Sequence, residues 1–116
     1  MITKSKIFLF SLVLAAGLLM TACPQKTNIG RIESNPSKYV GKETAITGRV
    51  TNSFGVALLG GVYKVDDGTG SIWVLTSRSV PSKNSRVGVK GKVQDGINFG
   101  GRSYGLGMVE DDRRIQ

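Results

Sequence analysis

From Glu43 onward, apolar and polar residues alternate with a period of two in short segments. This period is typical of β-strands that bury one face, and residues that favour turns separate the segments. The predicted strands fall at residues 43–51, 63–65, 71–76, 86–94 and 104–108. The pattern therefore predicts an all-β domain of five short strands.

Several glycines lie inside predicted strands, among them Gly48 in the first and Gly91 in the fourth. A glycine within a strand indicates a bend or a bulge, which a small barrel needs. Closure also removes the unpaired edges that an open five-stranded sheet would leave. We therefore expect a small closed barrel, with a glycine-rich turn around Phe99 and a short helical turn ending near Tyr39 before the first strand.

The first 22 residues have the pattern of a secretory signal peptide. Lys4 and Lys6 precede an apolar run at residues 7–20, which is shorter than the roughly 20 residues that a membrane-spanning helix needs. Removal of this segment lowers the formal net charge from +8 to +6. One reading is an ordinary secretory signal cut near Ala22, which would leave Cys23 as a free thiol.

The sequence Leu-Met-Thr-Ala-Cys at residues 19–23 resembles the bacterial lipoprotein signal. The resemblance implies a diacylglyceryl thioether on Cys23, cleavage before it, and acylation of the new N-terminus with a chain such as palmitate. Several acyl chains hold a protein on a membrane far better than one. The implied location is the bacterial cell envelope, on the periplasmic side of a membrane or on the cell surface.

These observations divide the chain into four parts. They are a cleaved signal peptide at residues 1–22, a lipidated tether at 23–28, a folded domain at 29–110 and a charged tail at 111–116 that we expect to fray.

Three stretches of the predicted domain resemble the OB fold. They are GKETAITGRV at residues 41–50, YKVDDGTGSIWV at 63–74 and VGVKGKV at 87–93. The family includes anticodon-binding and replication-type domains and small secreted or lipid-anchored bacterial proteins of unknown role. The resemblance implies a five-stranded barrel, but no helix is evident between the third and fourth strands, unlike in the nucleic-acid-binding branches.

OB-fold proteins generally bind ligands on the outer face of the second and third strands. The alternation places Lys64 and Trp73 on that face, with Arg49 on the neighbouring strand. The alternative is that Trp73 is covered by the N-terminal segment, against Ile29, Ile32 or Tyr39. The full set of candidate ligand-face residues is Trp73, Lys64, Arg49, Arg78, Lys92 and Tyr104.

The basic residues favour an anionic partner, such as acidic glycans, lipid headgroups or nucleic acid, although a solvated surface explains them too. Nucleic acid is the less favoured partner, because it is not usual outside the cytoplasmic membrane. A separate apolar loop contains Phe54, Leu58 and Leu59. We expect it either to contact a partner protein of the envelope or to fold back over one end of the barrel.

Composition argues against catalysis. The chain has no histidine and one cysteine, so a histidine-based triad or a Cys/His zinc site cannot form. Asp66 and Asp67 are adjacent, and turn formation explains both. We therefore expect no cofactor, no metal and no enzymatic activity, and predict a binding module or a structural component of an envelope complex.

Overall fold

The computed structural model describes residues 26–116, so the predicted signal peptide and Cys23 lie outside the described residues. Two short helices precede five strands. The elements are α1 (Ile29–Ser34), α2 (Pro36–Tyr39), β1 (Glu43–Val56), β2 (Gly60–Asp66), β3 (Ser71–Thr76), β4 (Arg86–Phe99) and β5 (Arg102–Ile115). Within residues 26–116, neither helix has the length and apolarity needed to span a bilayer.

The strands close into a barrel in the order β1-β2-β3-β5-β4. The β3–β5 pairing is parallel and the other four are antiparallel. This is the OB fold, so the predicted fold class is confirmed. The barrel closes because β1 pairs with β4 along its first half and with β2 along its second half.

Gly48 allows β1 to bend between its two partners. A Cβ atom at this position would lie 2.5 Å from the carbonyl oxygen of Asp66 and 2.8 Å from a methyl group of Val65. Real Cβ atoms do not approach backbone oxygens this closely, so the strand path requires glycine here.

Helix α1 closes the end of the barrel at the β2–β3 turn. Ile29 and Ile32 are fully buried in the core. The backbone N–H of Ile29 donates to Asp67 Oδ2 at 2.9 Å, and the N–H of Ser71 donates to Glu33 Oε1 at 2.7 Å. The predicted helical turn is present as α2, whereas α1 was not expected, because six residues are too few for a strong helical period.

Four strands, β1, β2, β4 and β5, extend further than their alternation indicates. The expected loop at residues 52–61 is mostly strand, since β1 continues to Val56 and β2 begins at Gly60. The expected turn at 95–102 shrinks to Gly100 and Gly101, which have φ of 59° and 78°. Backbone hydrogen bonds hold these hairpin arms without the apolar alternation that a buried face would impose.

The expectation of a frayed tail at residues 111–116 was wrong. Residues 111–115 continue β5, which pairs with β4 and ends with Ile115 opposite Val87. Charged side chains do not prevent pairing where they point outward from a sheet. The predicted tether is also shorter than expected, because Lys26 forms a bridge with Ala45 and the N–H of Thr27 donates to the Ala45 carbonyl at 2.7 Å.

Candidate ligand-binding face

Three aromatic rings lie together on the outer surface of the barrel, and we call them the aromatic face: Phe54 on β1, Trp73 on β3 and Tyr104 on β5. The Trp73 ring is central. Its centroid lies 4.9 Å from that of Tyr104, at 58°, and 6.1 Å from that of Phe54, at 25°. Trp73 is half-buried and Phe54 is 53% exposed, so the cluster presents ring surface to solvent.

Two cations border the aromatic face. The Nζ atom of Lys64 lies 5.8 Å from the Trp73 ring centroid, and Cζ of Arg102 lies 5.7 Å from that of Tyr104. Both separations fall within the range of a cation–π attraction. Lys64 reaches this position because it is directly opposite Trp73 in the β2–β3 pairing.

A bulge lies next to Tyr104 on β5. Gly105 has a φ of +74°, and the β4–β5 register shifts beside it, between Ile97 and Asn98. Leu106 packs against the core and also lines a groove together with Tyr104 and Trp73. The left-handed glycine thus bends β5 at the point where the tyrosine ring lies against Trp73.

Two shallow grooves meet at Trp73. One is lined on its far side by Glu33, Ser71 and Leu106, and the other by Asn52 and Ser103. A planar ring placed on the indole would therefore have hydroxyl, amide and carboxylate groups within reach on both sides.

The structure brings together three of the six candidate ligand-face residues: Trp73, Lys64 and Tyr104. In the alternative, Ile29, Ile32 or Tyr39 would cover Trp73; the two isoleucines are buried in the core, Tyr39 packs against that core, and the Trp73 ring lies against Phe54 and Tyr104. Arg102 was missed, since the sequence placed it in a turn and no pattern indicates the bulge that aligns it with Tyr104.

The other three candidates lie elsewhere. Arg49 points outward but pairs with Asp66, two residues from Lys64, and lines a different groove. Arg78 forms an exposed ion pair with Asp112 at 3.6 Å. Lys92 lies opposite Glu43 in the β1–β4 pairing. Alternation predicted correctly that Arg49 and Lys92 face outward, but it cannot say which strands become neighbours on closure.

The apolar loop is the tip of the β1–β2 hairpin, and it does not fold over the barrel. Leu58 is 103% exposed and Leu59 is 72% exposed. Leu58 has a φ of +72°, a conformation that costs a non-glycine residue about 1 kcal/mol or more. Phe54 differs from the leucines because it belongs to the aromatic face.

A buried polar cluster that the sequence did not reveal joins β2, β3 and β5. The Tyr63 hydroxyl donates to the Glu110 carboxylate, and the Thr76 hydroxyl donates to the same carboxylate at 2.7 Å. Arg113 lies 3.5 Å from that carboxylate and also donates to the Ser79 carbonyl. Burial raises the pKa of Tyr63 far above its usual value, and the bond to Glu110 adds to the effect.

This cluster is structural in character, because every buried polar side-chain atom in residues 26–116 has a hydrogen-bond partner. The same part of the chain holds no group of three histidine, cysteine, aspartate or glutamate residues arranged to hold a metal ion.

No family model and no curated protein matches this sequence. Among solved structures, an OBody (AM3L09) bound to hen egg-white lysozyme is 22% identical, with a TM-score of 0.58 over 80% of this chain and 96% of that chain. A chain assigned as an aspartyl-tRNA synthetase from Leishmania major Friedlin is 14% identical, with a TM-score of 0.61 over 81% of this chain.

An asparaginyl-tRNA synthetase from Pyrococcus horikoshii is 17% identical, with a TM-score of 0.54 over 67% of this chain. The matched regions cover only 21% and 20% of the two synthetase chains. At these identities the similarity establishes the OB fold alone.

Proposed function

We propose that this chain is a lipid-anchored protein of the bacterial cell envelope whose OB-fold barrel is a non-enzymatic binding module. The observation that carries the proposal is the aromatic face, where Trp73 lies between Phe54 and Tyr104 with Lys64 and Arg102 beside the rings. Three aromatic rings on the outer surface of a barrel leave apolar area in water that a ligand would cover.

The chemistry of this face selects a ligand with rings and negative charge. A flat ring gains about 1–3 kcal/mol by stacking on an exposed aromatic side chain. Lys64 and Arg102 lie at the two sides of the aromatic face and would neutralise acidic groups attached to such a ring. Acidic oligosaccharides and single-stranded nucleic acid both have this combination.

The lipid anchor rests on the residues that end at Cys23. Its test is the mass and solubility of the processed protein. The wild-type protein should carry acyl chains and enter the detergent phase of a phase-separation assay, whereas Cys23→Ala should remain unprocessed. Entry of the wild-type protein into the aqueous phase would contradict the anchor.

The ligand face can be tested with the fluorescence of Trp73, the only tryptophan in the chain. The processed protein in detergent is titrated with an acidic oligosaccharide and, separately, with an oligothymidylate. Saturable quenching by either probe supports the face and identifies the ligand class. If neither probe changes the fluorescence at low salt, the aromatic face is not a site for such ligands.

Nucleic-acid binding is the first alternative, and the stacked arrangement of Phe54 and Trp73 favours it. Two of the similar structures are tRNA synthetases by name. This alternative predicts that only the oligothymidylate quenches Trp73, and that its affinity falls steeply as salt rises, because phosphate contacts release counterions.

A protein-interaction role in an envelope complex is the second alternative, and the exposed hairpin tip favours it. Leu58 and Leu59 present apolar surface away from the core. The OBody structure is described as bound to lysozyme, so one barrel of this fold has a protein partner. A photo-crosslinker at Leu58 should capture a partner in cells, with the same group at Lys83 as control. A monomer without crosslinks at either position would count against this role.

A further inference from the structure

A second surface of the barrel carries five exposed cations, and we call it the basic surface. Two grooves meet there at Lys26. One groove is also lined by Arg49 and Arg86, and the other by Lys90 and Arg114. These residues come from the N-terminal segment, β1, β4 and β5.

Arg49 and Arg86 are directly opposite each other in the β1–β4 pairing. Like charges at facing positions of a sheet are destabilising unless something of opposite charge lies between them. The ion pairs within residues 26–116 join Arg78 to Asp112 and Arg113 to Glu110. None of the five cations of the basic surface takes part in these ion pairs, and Lys90 lies near Glu43.

The nearest carboxylates are engaged elsewhere. Asp67 accepts hydrogen bonds from the N–H groups of Ile29 and Thr69, both at 2.9 Å. Asp66 accepts one from the N–H of Gly68 at 2.8 Å. These bonds hold the β2–β3 turn and the start of α1. Both carboxylates line the same groove as Arg49 and Arg86, but the ion pairs found in residues 26–116 do not include them.

Asp112 pairs with Arg78, and Glu43 lies near Lys90 and Lys92 at the far side of the surface. The arginine pair and Lys26 remain available to an external anion. Hydroxyl groups of Thr47 and Thr51 line the same groove and add hydrogen-bond donors for phosphate oxygens.

The path of the chain places this surface next to the proposed anchor. Lys26 is fixed to the barrel by its bridge to Ala45. Cys23 precedes it by three residues, which extend over at most about 11 Å. A lipidated Cys23 would therefore hold Lys26, where the two grooves of the basic surface meet, within about 11 Å of the headgroup layer.

We infer that the basic surface binds the phosphate groups of anionic lipids in the membrane that holds Cys23. This inference rests on the proposed lipid anchor. The surface is centred on β4, which the closed strand order places across the barrel from β2 and β3. Contact with headgroups would therefore orient the barrel so that the Trp73 side faces away from the membrane.

The test measures the reactivity of individual lysines in the processed, acylated protein. The protein is placed in vesicles of phosphatidylcholine, or of phosphatidylcholine mixed with phosphatidylglycerol, and treated with an amine-reactive reagent. Mass spectrometry then gives the modification rate at Lys26 and Lys90. We expect the anionic vesicles to slow both rates about fivefold, whereas Lys64 on the opposite side should be unaffected.

A double variant, Arg49→Gln with Arg86→Gln, provides the matched control. Both side chains are exposed, so the barrel should fold normally, and the protection of Lys26 should fall towards its value in neutral vesicles. Equal rates at Lys26 and Lys90 in the two vesicle types would overturn the inference. Equal protection by inorganic phosphate in neutral vesicles would also overturn it, because the site would then take free phosphate.

The neutral vesicles separate this inference from the proposed anchor. A protein that floats with phosphatidylcholine vesicles is anchored by its acyl chains, whatever the lysine rates show. A protein that fails to float with them contradicts the anchor itself, and the inference that depends on it.

Discussion

Lys64 and Trp73 face each other across the β2–β3 pairing, with the lysine Nζ 5.8 Å from the centre of the indole ring. This pair joins the two chemical features of the proposed site, a ring to stack on and a charge to neutralise. Since both residues lie in regular strands, their relative position is fixed by the sheet, and a ligand would meet an arrangement that already exists in the free protein.

Replacing Lys64 with glutamine should remove the cation–π contact. An exposed contact of this kind is worth about 0.5–1 kcal/mol, so the free energy of unfolding should fall by a similar amount. Lys83→Gln is the control, because Lys83 is exposed and no cation–π contact or ion pair of its ammonium group occurs in residues 26–116. Urea unfolding followed by Trp73 fluorescence measures both, and equal losses would contradict the contact.

Gly48→Ala should destabilise the barrel by about 2 kcal/mol or more, because the new methyl group would clash with the Asp66 carbonyl at the bend of β1. Gly96→Ala is a matched control in β4, since a Cβ atom there meets nothing within 4 Å. Its effect should stay within about 0.5 kcal/mol. Thermal unfolding of both variants tests the comparison, and a tolerated Gly48→Ala would show that β1 does not need this close approach.

The buried cluster predicts how stability depends on alkaline pH. Burial and the bond to Glu110 raise the pKa of Tyr63, so the folded protein keeps its phenol protonated where an unfolded chain would lose the proton. This contribution is complete below pH 10, the ordinary tyrosine value, and is lost as the pH rises above it.

Tyr63→Phe should therefore cost about 1–2 kcal/mol at neutral pH, and the gap to the wild type should narrow above pH 10. Tyr104→Phe provides the control, because Tyr104 lies on the aromatic face and not in the buried polar cluster around Glu110. Urea unfolding at neutral and alkaline pH measures the gap. A gap that stays constant with pH would mean that the Tyr63 proton is not linked to folding.

The hairpin tip carries backbone strain that glycine should relieve. Leu58 has a φ of +72°, which glycine adopts without cost, whereas Leu58→Ala keeps a Cβ atom in the same conformation. We expect the glycine variant to be more stable than the alanine variant by about 1 kcal/mol. The denaturant midpoints of the two variants test this. Identical midpoints would contradict a strained backbone at Leu58.

The barrel was predictable from the sequence because alternation and turn residues report local geometry. The inward valines Val87, Val89 and Val93 are all buried, as their spacing predicts. The ends of the strands were not predictable, because backbone pairing continues through polar residues such as those after Glu110. Backbone hydrogen bonds between strands hold these ends in place. Such bonds do not depend on side-chain type, so the sequence shows no alternation there.

Part of the candidate site was also predictable from the alternation of residues within each strand. Alternation placed Lys64 and Trp73 on one outer face, and register confirmed their proximity. Alternation gave no information on Arg102, which lies near the bulge at Gly105. It also gave none on the hydrogen bond between Tyr63 and Glu110, which joins residues 47 positions apart. Arg49 was grouped with Trp73 although the pairing places it beside Asp66.

The most direct test of the proposed site compares two arginines of equal charge. The dissociation constant of whichever anionic probe quenches Trp73 is measured for the wild type, Arg102→Ala and Arg78→Ala. Arg102 borders the aromatic face, whereas Arg78 pairs with Asp112 away from it. We expect binding to weaken about tenfold in Arg102→Ala, and by less than about twofold in Arg78→Ala. Equal weakening in the two variants would mean that the probe responds to net charge, and would contradict a ligand site at the aromatic face.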